Sequence, residues 1–423
     1  EAIDRNVSAT SQLDEFIKSL KSPKVIILLV PAGKIVDEVI TELKPFLSAS
    51  DLLMDWGNSL FTDTNSRIEQ LAKSGIHFMG VGISGGESGA RYGPSIMPGG
   101  PGEVYARVAP MLEAISAKVN NEPCVTWLGP GSAGHYVKMI HNGIEYGLMQ
   151  LIAEAYHLLK VSGGMNNDKL HSVFSKWNDG LLHSFLIEIT AAVFIQKDDL
   201  TNDRLIDRIL DSAQQKGTGA WTSESAMNLQ VPVPVIDTAV AIRDLSVYKK
   251  DREAAAHQIE GPGIHFTVED YDLVAWLEEA LYFSMITTYA QGMALLHIAS
   301  KEYKYSLKPE SIAKIWRGGC IIRSSLLDDI YTAFSQQPEL SNLLLDRQLG
   351  QKLMESQNGI RKIVQIGAQS GIPLPAFMAS LAYFDSYRSG WLPANLIQAQ
   401  RDYFGAHTYQ RNDRDGVFHT QWN

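Results

Sequence analysis

The chain has 423 residues, too many for one ordinary hydrophobic core, so two or three packed units are expected. Hydrophobic residues make up 45% and charged residues 20%, a globular balance, and the net charge of −10 argues against nucleic acid and anionic membranes as general partners. An anionic substrate would therefore have to be held by a local cluster of cations set against the overall field.

Residues 1–20 alternate charged and apolar positions, so no secretory signal is expected there. The longest aliphatic run, Val25 to Val30, is far too short to span a bilayer. Cys124 and Cys320 are the only cysteines, so neither a disulfide framework nor a cysteine-based metal site is expected, and a reducing cytoplasm suits the chain. Lys24–Val30, Leu52–Trp56 and His77–Val81 read as short buried strands with amphipathic stretches near 35–47 and 63–74 between them. That alternation predicts βαβ units around a parallel sheet. The Gly/Pro-rich segment from Gly80 to Pro101 reads as one long loop, and loops of that length are more often functional than idle.

A helical pattern free of proline runs from about Ala133 to Val161. Helical segments dominate to about residue 385, with breaks near 163, 217, 261 and 372, and from about Leu392 the chain reads as a tail rich in aromatic and basic residues. Gln150–Trp177 matches Gln291–Trp316 in pattern with one small gap, which predicts two related helical subunits within one large domain.

The segment Gly131–Gln150 carries the strongest chemical signal. On a helix, Lys138, His141, Asn142 and Glu145 fall at i, i+3, i+4 and i+7. Glu145 then lies about 20° from Lys138 around the axis and about 10 Å further along it. A cation and a carboxyl group so spaced can flank a small molecule. Desolvation would lower the pKa of Lys138 toward that of a general base, and burial would raise Glu145 toward that of a general acid. A solvated Lys/Glu face is the competing reading of the same stripe. Gly134, Gly143 and Gly147 argue against it, because glycine inside a helix costs stability without a packing or ligand reason. In the second copy of the repeat the matching positions are Glu279 and Ile286, so the pair is not a feature of both copies.

Gly129–Gly134 satisfies G-x-G-x-x-G after the strand-like Val125–Leu128, but the chain stays helical where an acidic strand end is needed, so a domain-joining turn is the better reading. Two other loops suit an anion. Ser84-Gly85-Gly86-Glu87 follows the third strand, where an α/β sheet presents its ligand-binding ends. Lys216-Gly217-Thr218-Gly219 offers backbone amides, a hydroxyl and an ammonium. Each alone is a weak signal, since glycine loops usually just turn the chain. Arg243 lies in a helical pattern where a solvent-facing salt bridge is the default, and the default for the Arg401–His407 stretch is a docked terminus.

From about residue 20 to the C-terminus these segments resemble 6-phosphogluconate dehydrogenases. The blocks GISGGESGARYGPSIMPGG, KMIHNGIEYG, QQKGTGAWT, GGCIIRS and PANLIQAQRDYFGAHTY occur in that family's order and spacing. The resemblance implies a fold of α/β plus all-α class: an incomplete Rossmann-like NADP-binding domain over 1–132, a helical substrate and dimerisation domain over 133–390 with the internal repeat, and a C-terminal tail over 391–423 that reaches a partner subunit. It implies oxidative decarboxylation of 6-phosphogluconate to ribulose 5-phosphate and CO₂ with reduction of NADP, a step of the pentose phosphate pathway. Lys138 matches the family's base at the C3 hydroxyl, and Glu145 the acid that protonates C1 of the enediol. Ser84, Gly85, Gly86, His141 and Asn142 match residues that contact the sugar acid. Tyr146, Lys216, Thr218 and Arg243 match ligands of its phosphate, and Arg401 and His407 match residues that one subunit lends to the other in a homodimer. Asn58 matches a residue near both nicotinamide and substrate, Val30, Pro31 and Ala32 a cofactor-contacting turn, and Glu87 a position beside it. No metal, nucleic acid or membrane partner is implied.

The chain also departs from the family pattern. The opening strand, glycine-rich turn, helix and second strand have no counterpart, a gap of roughly 30–45 residues or one βαβ unit. The pyrophosphate would then lack its cradle and the sheet would carry an unpaired edge. Trp56 stands where the family has glycine and is expected to crowd the nicotinamide pocket. Pro31 and Ala220 replace lysines, and Leu148 an aspartate. These departures support an alternative reading as a cofactor-deficient relative that binds phosphosugars without turnover. A different β-hydroxyacid dehydrogenase is the third reading, with less reason to carry the phosphate set.

Overall fold

The computed structural model describes residues 7–262 and 270–422. Residues 1–6 of the stretch expected to lack a secretory signal lie outside the described residues, as does the far side of the break expected near 261. Two units are distinguished, Glu1–Ser380 and Leu381–Asn423.

In the first unit, α1 (Leu13–Ser19), β1 (Val25–Leu28), α2 (Lys34–Leu43), β2 (Leu52–Asp55), α3 (Phe61–Ala72) and β3 (His77–Ser84) follow one another. The three strands are parallel, with Val25 opposite Leu52 and Leu52 opposite His77. Leu52, Leu53 and Met54 are all buried, the continuous apolar run of a central strand covered on both faces. Leu53 and Phe78 pack with Val36, Ile40 and Ile17 on one side. Met54 and Met79 pack on the other side with Val104, Val108 and Leu112 of α5 (Gly102–Ile115). No strand among the described residues pairs with the outer edge of β1, where Ile27 and Leu29 are exposed.

The stretch from Gly80 to Pro101 is not the single loop expected. It holds the end of β3, a short α4 (Gly86–Tyr92) and β4 (Ser95–Pro98). β4 returns antiparallel to β3, with Val81 opposite Pro98, so the sheet is mixed rather than all parallel. The glycines and prolines that read as loop are the turns between these short elements. After the small hairpin of β5 (Lys118–Val119) and β6 (Glu122–Pro123), the strand expected at Val125–Leu128 reduces to one bridge from Val125 to Ile96.

Helix α6 (Ala133–Val161) covers the predicted span. It is followed by α7 (Asn167–Asn178), α8 (Phe185–Ile195), α9 (Thr218–Asn228), α10 (Pro234–Val247) and α11 (Lys249–Gln258). Then come α12 (Asp270–Glu302), α13 (Pro309–Trp316), α14 (Leu326–Gln336), α15 (Arg347–Ser370) and α16 (Pro375–Tyr387), which crosses into the second unit. The internal repeat is visible as α6-α7-α8 and α12-α13-α14, one long helix and two short ones each time. The two copies meet where Ser184, the N-cap of α8, bridges Ser324 just before α14. No helix among the described residues is long and apolar enough to cross a membrane.

The second unit contains α17 (Ala394–Gly405), within the stretch from Leu392 that reads as a tail rich in aromatic and basic residues. The buried Asp402 organises it: its carboxylate accepts from the backbone of Thr408 and Thr420, from His419 and from the Trp422 indole, at 2.8 to 3.0 Å.

Candidate active site

Helix α6 is pressed so tightly against the sheet that side chains would keep it off. A Cβ at Gly134 would stand 2.3 Å from the Met97 carbonyl oxygen, and one at Gly82 of β3 would stand 2.4 Å from Cβ of Lys138. Further along, Gly143 faces Thr222 of α9 and Gly147 faces Thr288 of α12. The helix glycines are thus close-approach positions, and the polar stripe between them is interior. Lys138 is 6% exposed and His141 0%, which excludes the solvated-face reading.

The buried polar groups satisfy one another. Lys138 Nζ donates to Asn142 Oδ1 at 2.7 Å and lies 3.5 Å from His141 Nδ1. His141 Nδ1 is 3.2 Å from the same Asn142 oxygen, and its Nε2 is 3.2 Å from Ser84 Oγ at the end of β3. Ser84 Oγ in turn accepts from the Ile321 amide at 3.3 Å. Nδ1 faces the Asn142 carbonyl oxygen, which can only accept, so the His141 proton is assigned to Nδ1 and Nε2 accepts from the Ser84 hydroxyl. Burial, then the neighbouring Lys138 charge, pushes the His141 pKa well below its usual value and keeps the ring neutral.

Glu145 completes the stripe, with Oε2 3.9 Å from His141 Nδ1 and its side chain 21% exposed. Burial raises its pKa, against the pull of Lys138 and Arg243. Burial also lowers the pKa of Lys138, opposed by Glu145. One cause, the loss of water, therefore moves the amine toward a base and the carboxyl toward an acid. At the next position Tyr146 is buried, and the Arg243 guanidinium from α10 lies over its ring at 3.5 Å. Arg243 is thus not the solvent-facing ion pair expected by default. The Lys216–Gly219 loop opens α9 through Gly217 at φ +93°, and the bare backbone of Gly219 lies against the Tyr146 ring. Thr218 is buried there, whereas Lys216 is exposed.

A narrow crevice is lined together by Asn58, Ser59, His135, Lys138, Met139, Asn142, Thr218 and Trp221. Asn58 follows β2 on a turn held by Asp55, whose carboxylate accepts from the Gly57 amide at 2.9 Å and the Ser59 hydroxyl at 2.6 Å. Val30, Pro31 and Ala32 form the corresponding turn after the adjacent β1, and Gly33 at its end accepts from Arg67. The crevice thus reaches the carboxyl ends of parallel strands, where open α/β sheets take ligands.

Comparison with known proteins gives this arrangement a family. Residues 134–422 match the 6-phosphogluconate dehydrogenase C-terminal domain, and residues 1–129 match the NAD binding domain of 6-phosphogluconate dehydrogenase. The chain belongs to the 6-phosphogluconate dehydrogenase family. It is 51% identical over 423 residues to the NADP(+)-dependent, decarboxylating 6-phosphogluconate dehydrogenase of Bacillus subtilis (strain 168), covering 100% of this chain and 90% of that protein. It is 51% identical over 421 residues to the decarboxylating 6-phosphogluconate dehydrogenase of Synechococcus elongatus, covering 99% and 89%. The solved 6-phosphogluconate dehydrogenase of Plasmodium falciparum, described in apo form and in complex with its cofactor NADP+ and its substrate 6-phosphogluconate, superposes with a TM-score of 0.93 at 45% identity, covering 97% of this chain and 88% of that one.

Among the family-matched positions, Ser84, Lys138, His141, Asn142 and Glu145 form one connected cluster, while Asn58 and Thr218 share its crevice. Gly85, at φ +143°, and Gly86 turn the chain from β3 into α4, on which Glu87 is exposed. Arg401 and His407 are exposed on the second unit, where Arg401 donates to Gln398. Trp56 is partly buried and packs against the core cluster that contains Leu52, Met54 and Val81. The sequence reading missed His135, Trp221 and the Ile321 amide. His135 had a legible signal, since it extends the polar stripe back by three residues. The other two depend on how distant segments meet.

Proposed function

We propose that the chain catalyses the oxidative decarboxylation of 6-phosphogluconate to ribulose 5-phosphate and CO₂ with reduction of NADP. The observation that carries this reading is the pair on α6: an amine whose pKa burial lowers and a carboxyl whose pKa burial raises, two turns apart across a neutral imidazole. Lys138 as the free amine takes the proton of the C3 hydroxyl as the C3 hydrogen departs with its electron pair. NADP, when bound, supplies the acceptor for that hydride. The C3 ketone now sits β to the carboxylate, so the bond to the carboxylate carbon breaks, CO₂ leaves and the electrons remain as an enediol. Lys138 lends its proton to the C3 oxygen as the enediol forms and takes it back as Glu145 protonates C1 of the five-carbon enediol, which leaves the ketone of ribulose 5-phosphate. Ser84, Gly85, Gly86, His141 and Asn142 orient the sugar acid, and Tyr146, Lys216, Thr218 and Arg243 hold its phosphate. Lys216 and Arg243 supply the local cations that an acidic protein needs for an anionic substrate.

The residues present fit the nicotinamide end of the cofactor. Asn58 carries an exposed polar side chain into the crevice beside Lys138, and Trp56 is not among the residues that line that crevice. Asn58, Val30, Pro31, Ala32 and Glu87 are assigned to it. This favours a working dehydrogenase over a cofactor-deficient binder. We assign cofactor binding to 1–132, substrate binding and dimerisation to 133–390, and an arm lent to the partner subunit to 391–423, in a cytoplasmic homodimer of the pentose phosphate pathway. Exposed Ile189, Val193 and Ile195 on α8, and Leu396, Ile397, Tyr403 and Phe404 on α17, support a partnered surface. In that dimer Arg401 and His407 serve the partner's site. NADPH formation and CO₂ release on adding 6-phosphogluconate test the reaction, and a calorimetric titration showing no preference for 6-phosphogluconate over gluconate would defeat it. Arg401→Ala should weaken binding of 6-phosphogluconate far more than of gluconate; equal losses would remove Arg401 from the phosphate site.

A further inference from the structure

His135 belongs to none of the roles above, yet it is the α6 side chain that bonds the end of β2. It sits one helical turn before Lys138 and is 1% exposed. Its Nε2 is 3.1 Å from the backbone carbonyl oxygen of Asp55, and its Nδ1 is 2.7 Å from the Thr64 hydroxyl of α3. The ring occupies space that any side chain at position 80 would take, since a Cβ on Gly80 would stand 2.7 Å from His135 Nδ1. Burial lowers its pKa, despite Asp55 nearby, so the ring is neutral. A neutral ring donates through Nε2 to the carbonyl and accepts at Nδ1 from Thr64.

Asp55 is the right residue to grip. Its carboxylate fixes the turn that carries Asn58, through the Gly57 amide and the Ser59 hydroxyl, and it faces Arg67 Nη1 at 3.6 Å. Arg67, 4% exposed, also donates to Asp37 at 2.7 Å and to the Gly33 carbonyl oxygen at 3.0 Å, which ties in the turn after β1. A continuous set of buried and part-buried polar contacts, the Arg67–Asp55 link being an ion pair, therefore runs from the base-bearing turn of α6 to both turns at the cofactor side.

We propose that His135 is a positioning residue: its bond to the Asp55 carbonyl locks Lys138 and the Asn58 turn into one frame, so that the groups on either side of the C3–H bond keep their spacing. This rests on the dehydrogenase reading above, and it concerns alignment of the hydride step rather than substrate affinity.

The test compares His135→Leu, which removes both bonds, with His135→Gln, whose amide can donate to Asp55 and accept from Thr64. Three readouts are taken: amide hydrogen exchange over Trp56–Ser59 without any ligand, calorimetric binding of 6-phosphogluconate, and kcat with its isotope effect on substrate deuterated at C3. His135→Leu should speed exchange at 56–59 and keep substrate affinity within about threefold, with kcat falling about 100-fold, the scale of a 1 Å misplacement. Its isotope effect should rise as hydride transfer becomes limiting, and His135→Gln should recover most of the loss. Unchanged exchange at 56–59, or a loss of substrate affinity in step with kcat at an unchanged isotope effect, overturns the proposal. Should His135→Leu not fold, Thr64→Val takes its place: faster exchange at 56–59 than in His135→Gln supports the coupling, and wild-type exchange overturns it. A wild-type chain that fails to bind 6-phosphogluconate defeats the functional reading instead, and the ligand-free exchange comparison still decides the coupling.

Discussion

Glu145→Gln removes the charge that opposes the lowering of the Lys138 pKa. Both side chains reach His141 Nδ1, Lys138 Nζ at 3.5 Å and Glu145 Oε2 at 3.9 Å, so the two groups are at most about 7.4 Å apart. At an effective dielectric of about 20, charges at that separation interact by about 2.2 kcal/mol. The Glu145 side chain is 21% exposed, so solvent screens part of that interaction. The sign follows from charge. A carboxylate stabilises the neighbouring ammonium, so its loss lowers the Lys138 pKa further, and the limb of the rate profile that requires free amine moves to lower pH. The assay is NADPH formation in a single turnover between about pH 5 and 9. Hydride transfer precedes protonation by Glu145, so losing the acid does not mask the shift. An acidic limb that stays in place, or moves upward, would show that the carboxylate is not ionised beside the amine and would refute the reasoning.

Lys138→Met should abolish turnover while substrate affinity stays within about tenfold, roughly 1.4 kcal/mol; normal NADPH formation by that variant would remove Lys138 as the base. Gly82→Ala should destabilise by about 1–3 kcal/mol as an overpacked core position, because its methyl would stand 2.4 Å from Lys138 Cβ and α6 must retreat, taking kcat down with it; an unchanged Tm would contradict the close packing. Glu154 of α6 is buried and accepts from the Ala376 and Phe377 amides of α16 and from Gln150, yet burial pushes its pKa from 4.5 up to about 7. The folded chain thus holds this proton more tightly than the unfolded one, so its contribution is full below about pH 4.5 and is lost as pH rises to about 7, a change of about 3 kcal/mol. Thermal melts from about pH 4 to 8 should show wild type losing stability relative to Glu154→Gln across that window, and parallel curves would rule this out.

What the sequence disclosed, and what it withheld, divides along a physical line. The span of α6 was legible because 29 residues without proline carry a helical period, and the Lys138–Glu145 stripe because that period fixes which side chains share a face. The segment after Gly80 was misread because α4 and β4 are 7 and 4 residues long, too short to show a period between turn signals. The all-buried Ser-Ile-Met-Pro of β4 carries no alternation, so nothing in it announces an antiparallel return. Arg243 was misplaced for a different reason. Whether a guanidinium meets water or the Tyr146 ring depends on α10 lying over α6. That is not a property of local sequence.

The glycines explain how such a polar stripe survives inside a protein. Burying an amine, an imidazole, an amide and a carboxyl on one helix face costs stability unless their hydrogen bonds are met. Here Asn142 receives Lys138 and His141, while Ser84 from the sheet supports the imidazole and the Ile321 amide supports Ser84. Those partners are within reach only because Gly82 and Gly134 let α6 lie on β3 and β4 without intervening side chains. The same contact removes the water that would otherwise return Lys138 and Glu145 to their ordinary pKa values. Packing therefore sets the chemistry in this site. A substitution that spares every polar group but lifts α6 off the sheet should cost activity through both the misplaced base and its restored pKa, whereas one that removes Lys138 alone should leave the packing intact.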